Sequence, residues 1–100
     1  MSSQVVIITG AASGLGAAIA LSFAKLNAGL CITDINEEDL HKTGIQCQKL
    51  SNTKVVEIAG DVRKDDDREN IVKSALKEFG KLDVLVNCAG IFDFTQLLDS

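Results

Sequence analysis

One hundred residues allow one small domain, with about enough chain for an independent core. Apolar residues make up 46% of the chain and its formal net charge is −4. That balance suits a water-facing globular protein and, with no basic cluster, argues against a general nucleic-acid binder.

The first predicted element is a strand at Val5-Val6-Ile7-Ile8, four consecutive β-branched apolar residues suited to a strand covered on both faces, as in a parallel sheet. Gly10, Gly14 and Gly16 follow, where the backbone can turn sharply and approach a ligand closely. Apolar residues then recur at Leu15, Ala18, Ile19, Phe23 and Leu26, a helical spacing, and Gly29 is the predicted helix stop. The start of that helix carries unpaired N–H groups and partial positive charge, a cradle for phosphate. The spacing Gly-x-x-x-Gly-x-Gly differs from Gly-x-Gly-x-x-Gly, and with no Lys after the last glycine it is not a P-loop. Residues 5–24 carry no charge, but Thr9, Ser13, Ser22 and three glycines argue against a membrane helix. Met1-Ser2-Ser3-Gln4 lacks the basic start of a signal peptide, so a cytoplasmic location is expected.

Leu30-Cys31-Ile32-Thr33 is the second strand, ending in Asp34. Asn36 is placed to cap a second helix that opens with Glu37, Glu38 and Asp39 and shows a sparse apolar stripe at Leu40, Cys47 and Leu50. Gly44 should weaken that helix by about 1 kcal/mol relative to Ala. His41 lacks a His or Cys at ligand spacing and reads as a solvated surface residue. The third strand is Lys54–Ile58, followed by Ala59-Gly60-Asp61-Val62. A third helix opens in Asp65-Asp66-Asp67, buries Ile71, Val72, Ala75, Leu76 and Phe79, and stops at Gly80. Its aspartates are explained by the helix dipole, and no metal site is expected. Leu82–Val86 is the fourth strand and leads into Asn87-Cys88-Ala89-Gly90. Residues 91–100 show no confident element. Cys31, Cys47 and Cys88 are odd in number and widely spaced, which fits reduced thiols serving as small apolar fillers rather than a disulfide frame or a zinc site.

Strands alternating with helices imply a parallel sheet with right-handed crossovers, a three-layer Rossmann-like α/β fold with strand order 3-2-1-4. Ligands of such sheets lie beyond the carboxyl ends of the strands where the winding reverses, here between strands 1 and 4. Asp34, 18 residues after Gly16, falls where a carboxylate accepts hydrogen bonds from the adenosine ribose of a dinucleotide and repels a 2′-phosphate. No Lys or Arg stands at position 35 or between Gly10 and Gly16 to reverse that preference, so NAD is expected over NADP.

With Thr9, the string Thr-Gly-Ala-Ala-Ser-Gly-Leu-Gly closely resembles the cofactor loop of the short-chain dehydrogenase/reductase family. Asp61-Val62 and Asn87-Cys88-Ala89-Gly90 extend the likeness over almost the whole chain, with Cys88 where the family has a second Asn. The resemblance implies a cofactor-binding set of Gly10, Ser13, Gly14, Leu15, Gly16, Asp34, Ile35, Asp61, Val62, Asn87, Ala89 and Gly90. By that likeness the Asp61 carboxylate would accept from the adenine amino group, with the Val62 backbone beside it. Asn87 would brace the sheet next to the glycine loop, and Ala89 and Gly90 would let the ribose approach.

The implied chemistry is hydride transfer between NAD(H) and an alcohol or carbonyl substrate, by a full-length protein expected to be a homo-oligomer. The family's catalytic Tyr, the Lys four residues after it and the substrate-orienting Ser follow its fifth strand, which this chain is not expected to reach, and the chain contains no Tyr. Residues 1–100 therefore read as a partial NAD-binding Rossmann domain, truncated after strand 4 and inactive alone. In that case strand 4 is an exposed edge, and the piece should be marginally stable and prone to association. The alternatives are a non-catalytic NAD-binding sensor or partner module and, less in keeping with Thr9 and Asn87, a methyltransferase on a similar sheet.

Overall fold

The β-branched run forms an interior strand. β1 spans Val5–Thr9 and all five of its residues are buried. The computed structural model describes residues 4–89. In chain order β1 is followed by α1 (Gly14–Lys25), β2 (Gly29–Asp34), α2 (Glu37–Leu50), β3 (Val55–Ala59), α3 (Asp65–Phe79) and β4 (Val84–Asn87). The strands make one parallel sheet in the order β3-β2-β1-β4, as the alternation of elements predicts. In register, Val6 stands between Leu30 and Val84, and Thr9 between Thr33 and Asn87. The four carboxyl ends thus lie side by side.

Two cores flank the sheet. On one face Ala20 and Ala24 of α1 and Leu40 and Cys47 of α2 pack on Val6, Ile8, Leu30 and Ile32. On the other, Ile71, Val72 and Ala75 of α3 pack on Ile7 and Cys31. Alternation along β1 sends Ile7 one way and Val6 and Ile8 the other, so an unbroken apolar run serves both layers.

Local details correct the sequence reading. The buried line of α1 is Gly16, Ala20 and Ala24, at i, i+4 and i+8, whereas Leu15 and Leu26 are 70% and 74% exposed. Small residues let a helix lie close to its neighbours, and that close approach overrides the larger apolar side chains on its flank. The helix ends before Gly29. The left-handed residue is Asn27 (φ 60°), and Gly29 opens β2, where a Cβ would come within 2.8 Å of the Phe79 ring. Asn is the residue other than Gly that most readily adopts this backbone. Leu76, predicted to be buried, and Leu50, placed on the sparse apolar stripe of α2, are both exposed, and α2 buries Thr43 and Gly44 beside Leu40 and Cys47. At Gly44 a Cβ would meet the end of the Glu57 side chain, which would have to swing aside. Asn36 caps α2 as expected, its Oδ1 accepting from Asp39 N at 3.0 Å. His41 is exposed but paired, with Nδ1 2.8 Å from Glu57 Oε1. α3 stops at Gly80 (φ 77°), as predicted.

Among the described residues no helix is long and apolar enough to cross a membrane. No group of His, Cys, Asp or Glu there could hold a metal ion.

Candidate functional site

Where the four strands end, the segments that leave them surround a cavity of about 510 Å³. It is lined by Gly10 and Ser13 after β1, Asp34 and Ile35 at the end of β2, Gly60 to Arg63 after β3, and Cys88 and Ala89 after β4. A volume of this order suits a nucleoside-sized ligand.

The turn after β1 is possible only with glycine at position 10. Gly10 has φ 67°, and a Cβ there would sit 2.8 Å from Ala89 N and 2.9 Å from the Cys88 carbonyl carbon. The absent side chain therefore lets two strand-end segments meet. Thr9, fully buried, holds them together. Its Oγ1 donates to Asn87 Oδ1 at 2.7 Å and accepts from Ala89 N at 3.3 Å. Asn87 is thus the brace beside the glycine turn, and it does not line the cavity. Gly16 is also structural, since a Cβ there would strike the Gly10 carbonyl. Ser13 occupies the N-cap position of α1 but makes no side-chain cap. Its hydroxyl donates to Gly10 O at 2.8 Å. No side chain therefore closes the start of the helix, whose N–H groups and dipole favour an anion.

Asp34 is tied to the same turn. Its Oδ2 accepts from Ala12 N and its Oδ1 from Asn36 N, each at 3.0 Å. Two donors leave about half of a carboxylate's acceptor capacity for a ligand. The carboxylate is thus oriented by backbone from both sides and can take hydroxyl groups.

The segment after β3 is held by α3. Asp61 N donates to Asp67 Oδ2 at 2.8 Å, and the Arg68 guanidinium donates to the Val62 carbonyl. The acidic start of α3 thus does more than meet the helix dipole, because Asp67 anchors a wall of the cavity. Asp61 itself is gripped by Arg63. Oδ1 accepts from Arg63 N at 3.0 Å and Nε at 2.9 Å, while Oδ2 accepts from Nε at 3.1 Å and Nη2 at 2.7 Å. The Arg63 side-chain hydrogen bonds hold the Asp61 carboxyl down at about 2.

Of the predicted site residues, Gly10, Ser13, Asp34, Ile35, Asp61, Val62 and Ala89 line the cavity. Gly14, Leu15, Gly16 and Asn87 do not line it, and Gly90 lies outside the described residues. Gly60, Arg63 and Cys88 line it without having been in the predicted set. The available signal for Arg63 was its place two residues after an Asp at a strand end.

Comparison with known proteins is consistent with this geometry. Residues 4–100 match the family model described as short chain dehydrogenase. A Thermotoga maritima protein described as an uncharacterized oxidoreductase is 44% identical over 94 residues, covering 94% of this chain and 36% of the relative. Glucose dehydrogenase of Caenorhabditis elegans in its apo form superposes with a TM-score of 0.82 at 38% identity, over 89% of this chain and 38% of that one. A short-chain dehydrogenase/reductase of Burkholderia phymatum in complex with NAD superposes with a TM-score of 0.79 at 31% identity, over 84% of this chain and 30% of that one. The chain spans about a third of the length of the curated relatives it matches.

Proposed function

The chain belongs to the short-chain dehydrogenase family, and on that premise we propose that it is the NAD-holding part of an oxidoreductase acting on an alcohol or carbonyl. The observation that carries the reading is Asp34, whose carboxylate is bonded at 3.0 Å to the turn that opens α1 while lining the same cavity as Gly10 and Ser13. A sugar acceptor and a phosphate cradle are thus adjoining parts of one site, as an adenine dinucleotide requires.

The residues fit the group. Gly10 leaves open a close backbone approach, the start of α1 would take the diphosphate, and Asp34 would take the ribose hydroxyls. Asp61 and Val62 would meet the adenine, Ala89 the second ribose. When bound, NAD supplies the hydride acceptor. The chain's own residues bind and orient it, and they offer no Tyr to move the substrate's proton. No turnover is therefore expected from these 100 residues alone.

The charge on Asp34 sets the choice of nucleotide. Two unit charges about 4 Å apart at an effective dielectric of 20 interact by about 4 kcal/mol. A third of that already amounts to about tenfold in affinity. Titration should show NAD binding at least about tenfold tighter than NADP, and Asp34→Ala should weaken NAD and erase most of the difference. Equal affinities for the two nucleotides in the unaltered chain would remove Asp34 from this role.

A further inference from the structure

The cavity wall after β3 lies across the site from the glycine turn. β3 is the outer neighbour of β2, and Gly60 N donates to Asp34 O at 3.0 Å. The order across the carboxyl ends is therefore wall, Asp34, turn. A dinucleotide with its diphosphate at the turn and its sugar at Asp34 presents its base to this wall. The backbone of the wall is held at three points, all from the start of α3. Asp61 N donates to Asp67 Oδ2 at 2.8 Å, Lys64 N donates to Asp61 O at 2.9 Å, and the Arg68 guanidinium donates to Val62 O. In a capping box the side chain at the third helical position reaches back to the N-cap amide. Asp67 holds that position behind the N-cap residue Lys64, yet it reaches past it to Asp61. The Arg68 side chain is only 15% exposed and its other branch pairs with Asp65, so its guanidinium is fixed as well. Bonds from ionised groups such as these are roughly twice as strong as neutral ones.

We propose that Asp67 and Arg68 are positioning residues of the cofactor site, clamping the Asp61-Val62 backbone from α3 so that the wall for the base is set before the nucleotide arrives. This rests on the reading of the cavity as a dinucleotide site. Neither residue lines the cavity, so each acts through the backbone it holds. A wall that orders only on binding lowers the apparent affinity by the fraction of time it is in place. One in place roughly a tenth of the time would weaken binding about tenfold.

The test titrates the chain with NAD and, by competition, with AMP. Asp67→Ala should weaken both by the same factor, about tenfold, the scale of one hydrogen bond to a charged group. The two ligands share the base, the sugar and one phosphate, so a loss at the base wall falls on them equally. A merely structural role, loosening the whole site, would cost NAD more, because NAD extends on to Ala89. Asp67→Asn keeps an acceptor for the Asp61 amide and should recover most of the loss. Hydrogen exchange on the unaltered chain needs no variant to fold. Without nucleotide the Asp61 amide should exchange as slowly as the interior amides of α3, and NAD should slow it little further. Exchange at the rate of an open loop amide overturns the clamp. So does an unchanged affinity in Asp67→Ala, unequal losses for NAD and AMP, or a loss that Asp67→Asn does not recover. In each of these cases the dinucleotide site stands. An unaltered chain that binds neither NAD nor AMP overturns the site itself, and the role of the clamp with it.

Discussion

At the scale of single residues, the site rests on side chains that organise backbone. Gly10 shows the tightest constraint. Any side chain at φ 67° faces a left-handed backbone that costs about 1–2 kcal/mol, and the Ala89 amide stands where the Cβ would go. Gly10→Ala should lower stability by at least about 1–2 kcal/mol in denaturant unfolding and abolish NAD binding, whereas Gly14→Ala, with nothing within 4 Å of its Cβ, should keep the fold. Asp61 makes a prediction in pH. Its folded-state value of about 2 lies below the ~3.9 of an unfolded aspartate. The stability it contributes is therefore fully present above about pH 4 and is lost as pH falls through about 2. The difference in unfolding midpoint between the unaltered chain and Asp61→Asn should narrow steadily over that interval. A difference that stays constant there would mean that Arg63 does not hold the carboxylate.

At the scale of elements, the order and direction of the strands were legible in the sequence because β-branched runs and helical spacings alternate with little ambiguity. Asp34 and Gly10 were legible for the same reason, being punctuation at strand ends. The helix faces were not. In α1 the buried line is Gly16, Ala20 and Ala24, and apolar spacing alone cannot tell a helix that packs through small residues from one that packs through Leu15 and Leu26. Arg63 and Asp67 were missed because their partners depend on how the loop after β3 folds onto α3. Gly44 illustrates the same limit. Helix propensity alone predicts a gain of about 1 kcal/mol from Gly44→Ala, but the new methyl would push Glu57 off His41. The two effects should nearly cancel, leaving a thermal shift of at most a few degrees. The cysteines separate by element too. Burial pushes the Cys31 thiol up to about 12 and the Cys47 thiol up to about 11, one in each core, whereas Cys88 is half-buried and lines the cavity. Iodoacetamide at neutral pH should label Cys88 first, and NAD should slow it, as peptide mass mapping would show. Prior labelling of Cys31 would mean that the α3 side of the sheet opens readily.

At the scale of the whole molecule, the sheet is unevenly covered. β1 and the first five residues of β2 are buried, yet every residue of β4 and three of the five in β3 are only half-buried. One face carries two helices and the other carries α3. Val84, Leu85 and Val86 on the outer strand β4 thus leave apolar surface in water, and a large apolar side chain fully exposed rather than buried forfeits about 1.5–3 kcal/mol. Among the described residues the outer edge of β4 pairs with no strand, and such an edge is a template for another chain. Concentration should therefore matter more than it does for a closed domain. Sedimentation of the 100-residue chain should show an average mass that climbs through a dilution series read from low to high, with the melting temperature climbing alongside. NAD binds at the carboxyl ends of the strands in the proposed site, away from the length of that edge, so it should raise the melting temperature without reversing association. A monomer at every concentration, with one sharp cooperative melt, would mean that the outer strand is covered and that the two cores suffice on their own.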